Sequence, residues 1–103
     1  MDRDTAINIA NKYATVVVNE LNPSAIFLYG SYANGNANAE SDIDVAVIFD
    51  GFYGDWLKTS SQLWKLRRGI STYIEPILLD RTKDPSGFVE EIYKTGRILY
   101  SAM

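Results

Sequence analysis

The sequence predicts an α+β layered fold, in which a small mixed β-sheet is covered mainly on one face by helices. Three observations predict it: helical and strand-like segments alternate, the strand-like segments are short and apolar, and turn residues separate them. The expected order is helix, strand, short helix, strand, helix, strand, helix. One face of such a sheet stays open, and we expect it to carry a functional site.

The first half of the chain is predicted to hold a long helix and a buried strand. Apolar residues recur at helical spacing over 7–21, after the capping candidates Asp4 and Thr5, and Asn22-Pro23 ends the run. The apolar run 25–29 is typical of a buried strand that stops at a tight turn. Small and turn-forming residues then fill 32–41, which indicates a short helical turn and an exposed loop.

The second half is predicted to hold two strands and two helices. Segment 41–49 has the β-branched content of a central strand. A flexible bend at 51–54 leads to an amphipathic helix over 55–66, closed by Arg67, Arg68 and Gly69. Segment 73–79 is the third strand, and Pro76 predicts that it is an edge strand or bulged, because proline cannot donate to a ladder. Asp84-Pro85 is expected to cap the last helix.

The most informative motif is Gly30-Ser31, followed after ten residues by Asp42-Ile43-Asp44. Residues two apart on a strand share a face, so both carboxylates can lean toward one hard cation, for which Mg²⁺ is the natural candidate. Gly30 has no Cβ, so the amides that follow it and the Ser31 hydroxyl can approach phosphate oxygens. The combination predicts nucleotide chemistry.

Together with the apolar strand 41–49, this motif resembles the signature of the minimal nucleotidyltransferases of the DNA polymerase β superfamily, of the MntA-like antitoxin type. The resemblance implies a third carboxylate on the next strand, where Glu75 stands, and the segment 91–100 resembles the usual ending, a helix, a turn and a last apolar segment. It also implies Asp42, Asp44 and Glu75 as catalytic and metal-binding residues, and Gly30, Ser31 and Ser41 as nucleotide-binding residues.

Two features depart from the pattern of that family. Glu75 replaces the more frequent Asp and is one methylene longer, and Tyr32 and Asn34 occupy a segment where arginines are frequent. These departures keep a second hypothesis open, that the domain is a catalytically weak or inactive binding partner that masks a toxin or another enzyme. A third hypothesis is a sensor that binds NTP and Mg²⁺ without turnover.

Under the leading hypothesis, the chain transfers a nucleoside monophosphate, with AMP from ATP as the first candidate, to a hydroxyl acceptor with the help of two Mg²⁺ ions. The resemblance implies a small helical HEPN-type toxin as the partner and one of its tyrosines as the acceptor. A homo- or hetero-oligomer is possible. The base of the NTP is left open.

The composition limits the catalytic groups, the substrates and the location that the chain can have. The chain has 103 residues, which fits one domain over 1–103, and it has neither cysteine nor histidine, so carboxylates are the available acid-base and metal-binding groups. Its net charge of −3 argues against a long nucleic-acid substrate. No stretch approaches the ~20 apolar residues of a membrane span, and we expect a cytoplasmic protein.

Each motif also has a plain structural interpretation. Asp42 and Asp44 can be ordinary solvated charges, Gly30-Ser31 a simple turn, and Glu75 an exposed charge on an edge strand. Arg67 and Arg68 are more readily explained as partners of their helix dipole than as phosphate ligands. The five aromatic residues Tyr53, Trp56, Trp64, Tyr93 and Tyr100 are expected in the core or at its margin, with some of them open to a partner.

Overall fold

Helices and strands alternate along the whole computed structural model, which describes residues 1–38 and 40–102. Ala39 of the predicted loop therefore lies outside the described residues. The predicted α+β fold is confirmed, with one strand more than the predicted order contains. The elements are α1 (Arg3–Leu21), β1 (Ala25–Tyr29), α2 (Ser31–Asn34), β2 (Ile43–Phe49), α3 (Trp56–Leu66), β3 (Ile74–Asp80), α4 (Phe88–Thr95) and β4 (Arg97–Ser101).

The four strands form one mixed sheet in the order β3-β2-β1-β4. β2 and β3 run parallel, whereas β1 is antiparallel to both β2 and β4. The central position predicted for the second strand is confirmed, and so is the edge position of the strand that contains Pro76. β4 is the additional strand: the last apolar segment pairs with β1, although its Ile98 side chain stays 56% exposed.

Helices cover the two faces of the sheet unequally. The larger core packs α1 and α3 against one face, on which Ile43, Val45 and Val47 lie. A smaller core on the other face joins α4 to Phe27, Ala46 and neighbouring strand residues. Since α4 contacts mainly the β1 side of that face, the end of the sheet formed by β2 and β3 stays open there.

Two helix starts differ from the prediction. α1 begins at Arg3, because the Asp2 carboxylate, rather than Asp4 or Thr5, accepts the Thr5 N–H at 2.7 Å. α4 begins at Phe88 rather than directly after Asp84, because residues 84–87 close a separate turn. The Asp84 carboxylate nevertheless accepts the N–H groups of Val89 and Glu90, at 3.0 and 3.1 Å, and so acts as a cap from outside the helix.

The bend after β2 is anchored by a buried carboxylate that the sequence did not single out. Asp80, at the end of β3, is 6% exposed and accepts the N–H groups of Gly51 and Phe52, at 3.2 and 3.0 Å. It also accepts the N–H and the hydroxyl of Thr82, at 2.9 and 2.7 Å. These bonds hold the pKa of Asp80 well below its usual range, so the carboxylate stays ionised while it fixes the bend.

None of the helices in the described part of the chain combines the length and the apolar character needed to cross a membrane.

Candidate functional site

The candidate site lies where β1, β2 and β3 meet at one end of the sheet. Asp44 on β2 is paired with Tyr29 on β1 and with Glu75 on β3. Because paired residues of neighbouring strands point to the same face, Asp44 and Glu75 share the face on which α4 packs. Asp42 is exposed and comes directly before β2, which starts at Ile43 and not at residue 41 as predicted.

The three predicted carboxylates are close enough to influence one another. Partial burial, followed by the negative charges of Glu75 and Asp42, raises the pKa of Asp44 to about 6. Burial and the Asp42 carboxyl group likewise raise the pKa of Glu75, although the nearby Arg67 guanidinium opposes the shift. A cluster of like charges that disfavours its own ionisation is a frequent mark of a site built to hold a cation.

Gly30 is where the glycine turn and the carboxylate cluster come into contact. A Cβ at this position would collide with the Asp44 carboxylate, and the backbone has φ 73° and ψ −148°, which only glycine adopts readily. The sequence indicated that Gly30 leaves room for a ligand. The structure shows that part of this room holds the Asp44 side chain, so Gly30 and Asp44 require each other.

The two serines of the predicted nucleotide site have different surroundings. Ser31 is the first residue of α2 and is partly exposed directly after the glycine turn. The Ser41 hydroxyl accepts the Asn38 N–H at 2.9 Å, while the Ser41 N–H donates to the Asn38 carbonyl at 3.1 Å. Ser41 therefore closes the loop that leads into Asp42, which is a structural task in addition to the predicted one.

The two positions that depart from the family pattern also differ from each other. Tyr32 is 1% exposed, and its hydroxyl donates to the Asn38 carbonyl at 3.3 Å, so it belongs to the core. Asn34, by contrast, is exposed. A cation does reach α2 from elsewhere in the chain, because the Arg3 Nε donates to the Tyr32 carbonyl at 3.1 Å.

An aromatic pair borders the carboxylates, and the sequence did not single it out. Tyr29 stands opposite Asp44, and its ring meets that of Phe88 edge to face with 5.7 Å between the centroids. Burial and then the charges of Asp44 and Glu75 raise the pKa of Tyr29 to about 12. Sequence reasoning could have found Tyr29 from its position, because an antiparallel pair of strands places the residue before Gly30 opposite one of the two aspartates.

The carboxylate oxygens of this site are suitable ligands for a hard divalent cation, but they do not form a complete coordination shell. Carboxylate oxygens are the ligands that Mg²⁺ prefers, and no histidine or cysteine competes. Within residues 1–38 and 40–102, no three acidic side chains are grouped closely enough to form a ready ligand set. The residues therefore fit a metal held partly by the protein and partly by substrate phosphates, which is how Mg²⁺ commonly binds.

Comparison with known proteins gives a family match. The model of the polymerase beta nucleotidyltransferase family matches residues 11–103. A search of curated protein sequences finds no match.

Solved structures with a similar fold are also found. A nucleotidyltransferase candidate from Sulfolobus solfataricus has a TM-score of 0.73 at 18% identity, and the alignment covers 97% of this chain and 84% of that one. The toxin-antitoxin structure of an MntA-HpeT variant, in which two aspartates two positions apart are changed to glutamate, has a TM-score of 0.61 at 18% identity. That alignment covers 91% of this chain and 74% of the other. A toxin-antitoxin structure with AMP-PNP has a TM-score of 0.60 at 18% identity, and its alignment covers 90% of this chain and 74% of the other. At these identities the likeness is one of fold.

Proposed function

Because the chain belongs to the polymerase beta nucleotidyltransferase family, we propose that it transfers AMP from ATP, or a nucleoside monophosphate from another NTP, to a hydroxyl group of a partner protein. The observation that carries the proposal is the pairing of Asp44 with Glu75 on neighbouring strands, with Asp42 directly before β2 and the Gly30 turn against the Asp44 carboxylate. In this proposal residues 1–103 act as one domain, in the cytoplasm.

Asp42 and Asp44 are the proposed ligands of Mg²⁺, with Glu75 as the third carboxylate. Bound Mg²⁺ would supply charge neutralisation of the triphosphate and, as a two-metal site, a lower pKa for the acceptor hydroxyl. Burial and then the negative charges of Glu75 and Asp42 raise the pKa of Asp44, and such a cation would stabilise the ionised carboxylates against both effects. The toxin-antitoxin relative with AMP-PNP supports an adenine nucleotide as the substrate.

The proposed reaction is a displacement at the α-phosphorus. The acceptor oxygen forms a bond to the α-phosphorus, the bond from that atom to the oxygen bridging to the β-phosphate breaks, and pyrophosphate leaves. The proton of the acceptor hydroxyl passes to a carboxylate, for which Glu75 is the candidate because it is exposed beside Asp44. The Gly30-Ser31 turn and Ser41 would orient the phosphates, so positioning and charge neutralisation supply the rate.

The proposed acceptor is a tyrosine of a HEPN-type helical toxin, and the chain is its antitoxin. Two relatives in fold are toxin-antitoxin proteins, which supports a partner of this kind. A second candidate function is masking of the partner by complex formation without catalysis. The buried Tyr32 and the uncharged Asn34 favour it, because both replace frequent arginines.

Titration calorimetry with ATP, in the presence and absence of Mg²⁺, tests the nucleotide site. We expect Mg²⁺-dependent binding that weakens at least tenfold, about 1.4 kcal/mol, in Asp42→Asn/Asp44→Asn. Asp50→Asn is the matched control, because Asp50 is an exposed aspartate that follows the opposite end of β2. Equal binding by all three proteins, or none, would contradict a working site.

Incubation with α-labelled ATP and the co-expressed partner separates the two functions. Transfer of label to the partner, lost in Asp42→Asn/Asp44→Asn while the complex persists, supports catalysis. If the double variant still neutralises the partner in cells, masking is the function. Saturable ATP binding without pyrophosphate release would identify a nucleotide sensor.

A further inference from the structure

A cavity of about 470 Å³ opens at the C-terminal end of α3, outside the carboxylate cluster. The last turn of α3 and the following segment 67–72 line it. The lining residues include Trp64, Lys65, Arg67, Arg68, Ser71 and Thr72, and none of the lining residues is acidic. A cavity with cations, hydroxyl groups and one indole ring is suited to carboxylates that flank an apolar group.

Positive charge is concentrated around this cavity in an otherwise acidic chain. The net charge is −3, yet Lys58, Lys65, Arg67 and Arg68 fall within 58–68, and Asp55 is the only acidic residue of segment 55–72. The ion pair found among the described residues joins Lys94 to Glu90 on α4, so it does not neutralise this group. The field around the end of α3 therefore favours an acidic partner.

The Arg67 side chain, at the margin of the cavity, is held in place by several contacts. Its Nη1 donates to the carbonyl oxygens of Thr72 and Ile74, and its guanidinium lies 4.7 Å from the centroid of the Trp64 ring. Ile74 directly precedes Glu75, so the same arginine connects the cavity to the strand that carries the third carboxylate. Arg67 also acts on the Glu75 carboxyl group, so the cavity and the third carboxylate lie at the same end of the sheet, with α3 on the face opposite to the Asp44 and Glu75 side chains.

The exposed face of α3 adds an apolar centre to this basic rim. Leu57 is 80% exposed and Trp64 is 43% exposed. They are seven residues apart, which is two helical turns or about 10.5 Å along the axis, so they lie on nearly the same side of the helix. A second helix with apolar residues at the same spacing would match them, and tryptophan and arginine are the residue types that most often dominate binding energy.

We propose that Leu57, Trp64, Lys65 and Arg68, called here the α3 surface, dock an acidic amphipathic helix of the partner protein. The proposal rests on the proposed function, since it identifies the surface that brings the acceptor protein to the carboxylate cluster. A polyanionic strand fits less well, because four cations can neutralise few phosphates and the rest of the chain repels a polyanion.

Fluorescence of Trp64 provides a direct test. The chain has two tryptophans, so Trp56→Phe makes Trp64 the only indole. The probe is a 14-residue helical peptide with Leu at seven-residue spacing and Glu on its flanks, and its twin carries Lys in place of every Glu. We expect a saturable change in Trp64 emission with the acidic peptide and none with the basic twin. Lys65→Glu/Arg68→Glu should weaken acidic-peptide binding at least tenfold.

Three results would overturn the proposal: equal binding of both peptides, acidic-peptide binding unchanged in Lys65→Glu/Arg68→Glu, or no binding at millimolar peptide. Tighter binding of a ten-nucleotide single-stranded DNA at the same surface would also overturn it, in favour of a nucleic-acid site. Calorimetry with ATP and Mg²⁺ on the same preparations keeps the two proposals apart. Loss of ATP binding in Asp42→Asn/Asp44→Asn tests the nucleotide site, whereas the α3 charge reversal should leave ATP binding intact.

Discussion

Replacement of Asp80 by asparagine should destabilise the fold without touching the carboxylate cluster. Oδ1 of Asp80 accepts hydrogen bonds from Gly51 and from both donors of Thr82, and Oδ2 accepts the Phe52 N–H. An asparagine with its oxygen at the Oδ1 position keeps three of these contacts with a neutral acceptor. Its NH₂ group then faces the Phe52 N–H, so one buried donor loses its acceptor.

The expected cost follows from these four bonds. A hydrogen bond to a charged group contributes about 1.5 to 3 kcal/mol, and losing one while weakening three gives about 3 kcal/mol. For a domain of this length, an unfolding entropy of about 0.22 kcal/mol/K converts that cost into a Tm lower by about 14 °C. Urea denaturation followed by circular dichroism measures the free energy, and Asp50→Asn, an exposed control, should stay within about 0.5 kcal/mol of the parent protein.

The pH dependence gives an independent check of this explanation. The pKa of Asp80 in the folded protein lies below its ordinary value of 3.8, so its contribution is complete above that value and is lost as the pH falls through the folded-state pKa. The difference in stability between the parent protein and Asp80→Asn should therefore be constant above about pH 5 and narrow below pH 4. A loss under about 1 kcal/mol at pH 7, or a difference that persists undiminished at low pH, would refute this account.

Three further substitutions test other contacts. Gly30→Ala should abolish ATP binding and destabilise the fold more than Gly35→Ala, because both glycines have positive φ but only Gly30 has the Asp44 carboxylate in its Cβ position. Calorimetry measures ATP binding and urea denaturation measures stability, and equal losses of stability in the two variants would contradict the argument. Tyr13→Phe should lose about 1 to 2 kcal/mol of unfolding free energy with ATP binding unchanged, since the buried Tyr13 hydroxyl donates to the Leu63 carbonyl at 2.6 Å and joins α1 to α3. Asp84→Ala should cost about 1 kcal/mol in urea and Asp84→Asn much less, because asparagine still caps; similar losses in both would argue against capping of α4.

The parts of the fold and of the site that could be predicted from the sequence depend on local pattern. The apolar run 25–29 and the proline at position 76 were enough to indicate a buried strand and an edge strand, and the family resemblance was enough to place Glu75 on the strand after that of Asp44. The catalytic and metal-binding roles of these carboxylates stay predictions.

The parts that could not be predicted depend on contacts between distant segments. β4 exists because its backbone pairs with β1, while its side chains are only partly buried, so its sequence lacks a strong strand pattern. Asp80 has the same local signature as any polar residue after a strand, and two of its four hydrogen bonds come from the distant Gly51 and Phe52. Arg67 was expected to serve the helix dipole, but the turn that follows α3 carries two backbone carbonyls to its guanidinium.

The outer edge of β3 is a poor template for further strands where it passes the candidate site. The Ile43 N–H donates to the Tyr73 carbonyl, so in this parallel pair the backbone groups of residues 74 and 76 point away from β2. The Ile74 carbonyl is occupied by Arg67, and Pro76 has no N–H to offer. An exposed β-strand of another molecule therefore meets one acceptor that is already engaged and one position without a donor, which disfavours sheet extension and aggregation along this border beside Glu75.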